Sequence, residues 1–148
     1  MTKTGAYIIL KEHKIVFEYY AGITSAEELM HITNSVYTDP DFDSSFYFVL
    51  DFRDATLQGN KIDMQKYLKF LQDSASSIAK RKAAYLTSKP NEVVITTIFT
   101  NLMEKLPLIP RIFTTIENAL NWLDYPELER QKLIAISEEL RSNPKNIL

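Results

Sequence analysis

The residues best equipped for chemistry in this sequence are Asp51, Arg53 and Asp54, which close an apolar run. Two carboxylates flanking a guanidinium can anchor a ligand or a partner loop. The same trio can also be purely structural, with Arg53 pairing a nearby carboxylate and fixing the loop that follows. As a hydrolytic pair, Asp51 and Asp54 lack a histidine nearby in sequence and an evident metal set. Glu28 and His31 have the Glu-x-x-His spacing used in di-iron bundles. A complete centre needs a second copy and further carboxylates, yet the only other histidine, His13, stands among Lys11, Glu12 and Lys14. Glu28 and His31 therefore read as a solvated helix face. No metal site and no cofactor is expected. Lys80-Arg81-Lys82 is a small basic cluster that suits the negative end of a helix dipole, with a phosphate or acidic-lipid contact as the sharper alternative.

Several chemistries are excluded outright. The chain has no cysteine, which removes disulfides, thiolate metal sites and thiol nucleophiles. Three glycines in 148 residues leave no loop able to cradle a phosphate. A formal net charge of -2 gives no general attraction to nucleic acid. The longest apolar stretches, such as Phe46 to Leu50, fall far short of the roughly 20 residues that span a bilayer. Tyr7 to Leu10 is too short for the apolar part of a signal peptide. These features point away from catalysis and membrane insertion and towards a cytoplasmic protein.

The elements that must position these residues follow from periodicity. Tyr7–Leu10 and Ile15–Tyr20 read as a hairpin around Lys11–Lys14, with Gly22 breaking the second strand. Thr24 and Glu27 form a capping-box pattern ahead of an amphipathic helix over 25–37. Phe46–Phe52 is continuously apolar, as a strand covered on both faces should be. Asn60 with Asp63 suits the cap of a second helix, whose stripe is Met64, Tyr67, Leu68, Leu71 and Ile78. Lys82–Ser88 and Pro110–Thr114 read as strands, and 91–106 as a helix capped by Asn91. Thr114 and Glu117 repeat the capping box, with Ile116, Ala119, Leu120, Trp122 and Leu123 turned inward. Pro126 opens a last helix through about Leu140. Strands alternating with helices call for an α/β fold on a mixed sheet, whose ligands meet the loops at the carboxyl ends of the strands.

Gly22-Ile23-Thr24-Ser25-Ala26-Glu27-Glu28-Leu29, Asp39-Pro40-Asp41-Phe42 and Val49-Leu50-Asp51-Phe52-Arg53-Asp54-Ala55 together resemble the SpoIIAA-like group of STAS domains. So do Arg111-Ile112-Phe113 and Glu117-Asn118-Ala119-Leu120-Asn121-Trp122-Leu123. The resemblance covers about residues 6 to 124. It implies a four- or five-stranded mixed sheet with helices packed on it in residues 1–124, and a helical extension in 125–148. It also implies a non-enzymatic bacterial regulatory role. In the anti-sigma factor antagonists among STAS domains, a serine at the start of the second helix is phosphorylated. Here that start reads Leu57-Gln58-Gly59-Asn60-Lys61-Ile62-Asp63, with no hydroxyl side chain, which argues against a phosphoserine switch.

Two binding surfaces are expected on this basis. A partner protein would meet Asp51, Arg53, Asp54, Gly59, Asn60 and Lys61. Alternatively, Tyr67, Phe70, Tyr85, Phe99 and Met103, which core packing also explains, could line a pocket for a small apolar molecule or lipid. The stripe Leu133, Ile136 and Leu140 on the last helix suits either the chain's own core or a homodimer contact.

Overall fold

The computed structural model describes residues 5–58, 60–75, 81–89, 106 and 108–144. Among them lie nine elements: β1 (Gly5–Leu10), β2 (Ile15–Ser25), α1 (Ala26–Tyr37), β3 (Tyr47–Gln58), α2 (Lys61–Ala75), β4 (Arg81–Leu86), β5 (Leu108–Phe113), α3 (Ile116–Trp122) and α4 (Glu127–Ser142). The helix expected over 91–106 lies outside the described residues.

The strands form one five-stranded sheet in the order β1-β2-β3-β4-β5. β1 runs antiparallel to β2, and the other three pairings are parallel. A mixed α/β sheet is thus present, with β3 at its centre. Side chains alternate along each strand, so one face carries Val16, Tyr20, Phe48, Leu50, Phe52 and Tyr85. The other carries Ile15, Phe17, Tyr19, Val49, Ala84 and Leu86. Val36 of α1 and Tyr67 and Leu71 of α2 cover the first face. Leu120 and Leu123, at the end of α3, and Leu133 and Leu140 of α4 cover the second. Layers of helix on both faces explain why Phe46–Phe52 is apolar without alternation apart from Asp51.

One irregularity positions the polar trio. Tyr19 pairs with Asp51, but Ala21 pairs with Asp54, so Phe52 and Arg53 share the place opposite Tyr20. That β-bulge shifts the alternation by one residue. Asp51 and Asp54, three apart and otherwise on opposite faces, therefore both turn towards α4.

Four local expectations are corrected. Gly22 does not end β2, which continues to Ser25; the glycine takes φ +74 within the strand, a conformation that costs it little. The cap of α1 is Ser25, whose hydroxyl accepts from the Glu28 amide, rather than Thr24, which is buried. The cap of α3 is Thr115, accepting from the Asn118 amide, rather than Thr114. Arg81 is not a solvated helix-end cation. It opens β4 and is only 2% exposed, donating to the Ser44 carbonyl and the Tyr37 hydroxyl.

The last helix closes the second face of the sheet. Its buried residues are Leu133, Ser137 and Leu140, while Ile136 is only half-buried. Its start is tied to the first hairpin: the Tyr125 hydroxyl donates to the His13 carbonyl at 2.6 Å, and His13 Nδ1 lies 2.6 Å from Glu129.

Candidate functional site

The structure divides the expected partner-binding residues between two places. Asp51, Arg53 and Asp54 belong to a network of ion pairs beneath α4. Arg53 donates from Nε and Nη2 to the two oxygens of Asp51 at 2.9 and 2.8 Å, and reaches Glu138 at 3.3 Å. Arg141 grips Asp54 in the same bidentate manner at 2.7 and 2.9 Å, and the Tyr19 hydroxyl adds a third bond at 2.7 Å. These donors, chiefly Arg141, hold the Asp54 carboxyl down at about 2. Planar guanidinium forks matched to carboxylates give directional, low-slack bridges. Both acids are therefore engaged within the chain, and the Asp54–Arg141 and Arg53–Glu138 contacts fasten the last helix to the central strand.

Asn60 lies elsewhere, at the carboxyl edge of the sheet. There β2 ends in α1 and β3 leads into α2, so two helix starts come together. Ser25, Ala26 and Glu27 form one wall of a groove of about 490 Å³, and Gln58, Asn60 and Asp63 form the other. Both helix starts are capped, that of α2 reciprocally. Asn60 Oδ1 accepts from the Ile62 and Asp63 amides at 2.9 and 3.1 Å, and Asp63 Oδ2 accepts from the Asn60 amide at 3.1 Å. Glu27 and Gln58 stay exposed, as does Ile62 at 61%. The groove thus offers carboxylates, amides and a neighbouring apolar side chain. Lys61 opens α2, while Gly59 lies outside the described residues.

No family model, curated protein or solved structure matches the chain. Its geometry must speak for itself.

A third constellation escapes sequence inspection. Glu18, in the middle of β2, is 1% exposed and points into the face covered by α1 and α2. The Tyr20 hydroxyl donates to Glu18 Oε1 at 2.5 Å and the Thr33 hydroxyl at 3.2 Å, while Thr33 and Tyr67 hydroxyls lie 3.4 Å apart. Burial pushes the Glu18 carboxyl up to about 7, against the opposing pull of these hydroxyls and of Arg81. Arg81 in turn is packed over Phe48 at 4.7 Å and Tyr37 at 5.6 Å. One residue in the cluster thus changes charge near neutrality, at the junction of both helices and the sheet. An acid inside a strand normally signals a solvent-facing position. The available hint was its place in the apolar run Ile15-Val16-Phe17-Glu18-Tyr19-Tyr20.

Tyr67 and Tyr85, named above for an apolar pocket, are both 3% exposed and line this same cluster, and Phe70 is half-buried against Tyr37 and Tyr67. The space they border with Glu18 and Arg81 is about 20 Å³, enough for a water molecule. Phe99 and Met103 lie outside the described residues. His31 is exposed on α1. No helix among the described residues is long and apolar enough to cross a membrane.

Proposed function

We propose that this chain is a non-enzymatic, STAS-like regulatory module that receives another protein in the groove between the starts of α1 and α2. The observation that carries the reading is the groove itself. It lies at the carboxyl ends of parallel strands, where α/β folds gather their contacts, and its volume of about 490 Å³ is walled by two capped helix starts. Glu27 and Asp63 give it a negative edge and Ile62 an apolar one, so the partner segment it suits is polar or basic with an aliphatic side chain. The residues around the α2 cap are Asn60, Lys61, Ile62 and Asp63, so partner exchange in this reading does not run through a phosphoserine at that position. The carrier alternative asks for a cavity of roughly 300 Å³ or more, and the described residues beside Tyr67 and Tyr85 enclose about 20 Å³. The groove makes protein binding the reading we favour.

A photo-crosslinking residue at Gln58, in the groove, tests it against one at Leu128, which is 77% exposed on α4. The expected result is a discrete adduct from Gln58 alone in the native host. After identification and purification of that protein, Gln58→Arg should weaken its binding about tenfold or more, and Leu128→Arg should not. Equal adducts from both positions, or unchanged affinity in Gln58→Arg, would remove the groove from the account. Asn60→Arg is a poorer probe, because it also removes the α2 cap.

A further inference from the structure

Away from the groove, at the β5 edge of the sheet, a second concavity of about 310 Å³ is lined by Arg111, Phe113, Asn118, Asn121 and Trp122. Its floor is an aromatic pair, Phe113 and Trp122, with centroids 5.4 Å apart and planes inclined by 45°. Lys82 holds Trp122 in place, lying 4.9 Å from the ring centroid while its ammonium donates to the Trp122 carbonyl at 2.9 Å. The Arg111 guanidinium lies at the edge of contact with both rings, 5.9 Å from the Phe113 centroid and 6.0 Å from the Trp122 centroid. Every other arginine engaged in this description has an oxygen partner: Arg53 and Arg141 have carboxylates, Arg81 and Arg130 have carbonyls. Among the described residues, the exposed Arg111 guanidinium makes no hydrogen bond or ion pair. Two rings pre-orient it, and its forked donors remain open.

We infer that this concavity binds a small organic carboxylate with a flat apolar body. The guanidinium would take the carboxylate through paired N–H bonds, the rings would take the body, and the Asn118 and Asn121 amides lie at the rim for further polar groups. The volume is at the lower end of small-molecule sites. A peptide adding as a further strand fits less well. The Thr87 amide donates to the Phe113 carbonyl, so Phe113 and residues of its parity turn their backbone groups to β4. Pro110 has the opposite parity and faces the outer edge with no N–H to give. The strand edge is blunted while the side-chain pocket above it is open.

Trp122 is the only tryptophan in the chain, so its fluorescence reports this concavity directly. Phenylacetate, phenylacetamide and inorganic phosphate are titrated into the full-length protein and into Arg111→Gln, whose fold is checked by its melting transition. The expected result is a saturable change with phenylacetate, at an affinity about tenfold or more above that of phenylacetamide, with the difference lost in Arg111→Gln. Phosphate alone should not reproduce it. Equal binding of acid and amide, unchanged binding in Arg111→Gln, no saturation with phenylacetate, or the same response to phosphate would each overturn the inference. Should Arg111→Gln unfold, Arg111→Lys serves the same purpose, since an ammonium keeps the charge and loses the paired geometry.

Discussion

The two faces of the sheet deal with polar groups in opposite ways. Beneath α1 and α2, a carboxyl is buried at the centre and satisfied mainly by hydroxyls, Tyr20 and Thr33, with Arg81 close by. Beneath α4, the buried Asp51 and the partly exposed Asp54 are matched by the bidentate guanidiniums of Arg53 and Arg141. The first arrangement keeps a proton to about pH 7, while the second holds Asp54 ionised down to about pH 2. Partner and depth together decide the outcome: deep burial penalises the ion more than a few hydroxyls can offset, whereas a paired guanidinium prevails at the partly exposed Asp54. The two faces should therefore respond differently to acid, salt and truncation.

The largest expected effect concerns the apolar part of this contrast. Leu133 is fully buried between α4 and the sheet, so Leu133→Ala should destabilise the chain by about 2–5 kcal/mol in denaturant unfolding. A loss below about 1 kcal/mol would mean that α4 is held by its ion pairs rather than by its apolar stripe. Glu18→Gln comes next. The folded chain binds the Glu18 proton up to about pH 7, whereas the ordinary value is 4.5. The folded state is the tighter proton binder, so this contribution is fully present below pH 4.5 and is lost as pH rises towards 7. Unfolding curves from pH 4.5 to 8 should show the wild-type protein losing stability on the order of 3 kcal/mol relative to Glu18→Gln. Parallel profiles for the two proteins would show that Glu18 is ionised throughout.

Asp54→Asn should cost less, about 1–2 kcal/mol, because its bridge to Arg141 is partly exposed. Its sign is reversed. The pair stabilises fully above pH 3.8 and fades as pH falls through about 2, so mutant and wild type should converge in strong acid. Raising the salt concentration should narrow the same gap and leave the Glu18 profile unchanged. The smallest effect belongs to the groove. Asn60→Ala removes the α2 cap and should lower stability by about 1 kcal/mol, read as a shift of the denaturant midpoint.

Sequence patterning made the scaffold readable and left its polar interior obscure. The continuous run Phe46–Phe52 pointed to the central strand because apolarity on both faces has few other causes. The Asn60–Asp63 box was legible because no competing cap adjoins it. At the other two helix starts, Thr24 stands beside Ser25 and Thr114 beside Thr115, and only the direction of the chain decides which hydroxyl caps. The Arg53–Asp51 pair is local and was legible, whereas the Arg53–Glu138 and Arg141–Asp54 contacts join positions 85 and 87 apart and leave no local trace. Asp51 and Asp54 share a face through a bulge, a one-residue slip that periodicity does not encode. Arg81 follows Lys80 and precedes Lys82, so it reads as one of three solvated cations. Its burial depends on the rings of Tyr37 and Phe48 brought from distant segments.

The bridge from Tyr125 and Glu129 to His13 has a consequence for the order in which the molecule assembles. Its partners lie 112 and 116 positions apart, so the contact can form only after residue 129 has been made. On a ribosome, β1 and β2 emerge before α4 and can pair at once, but the face bearing Ala6, Ile15 and Phe17 must wait for Leu133 and Leu140. Until then that face stays wet and adhesive, the condition under which nascent chains recruit chaperones or one another. The arrival of α4 therefore closes that interval, so its timing bears on the yield of folded protein as well as on stability.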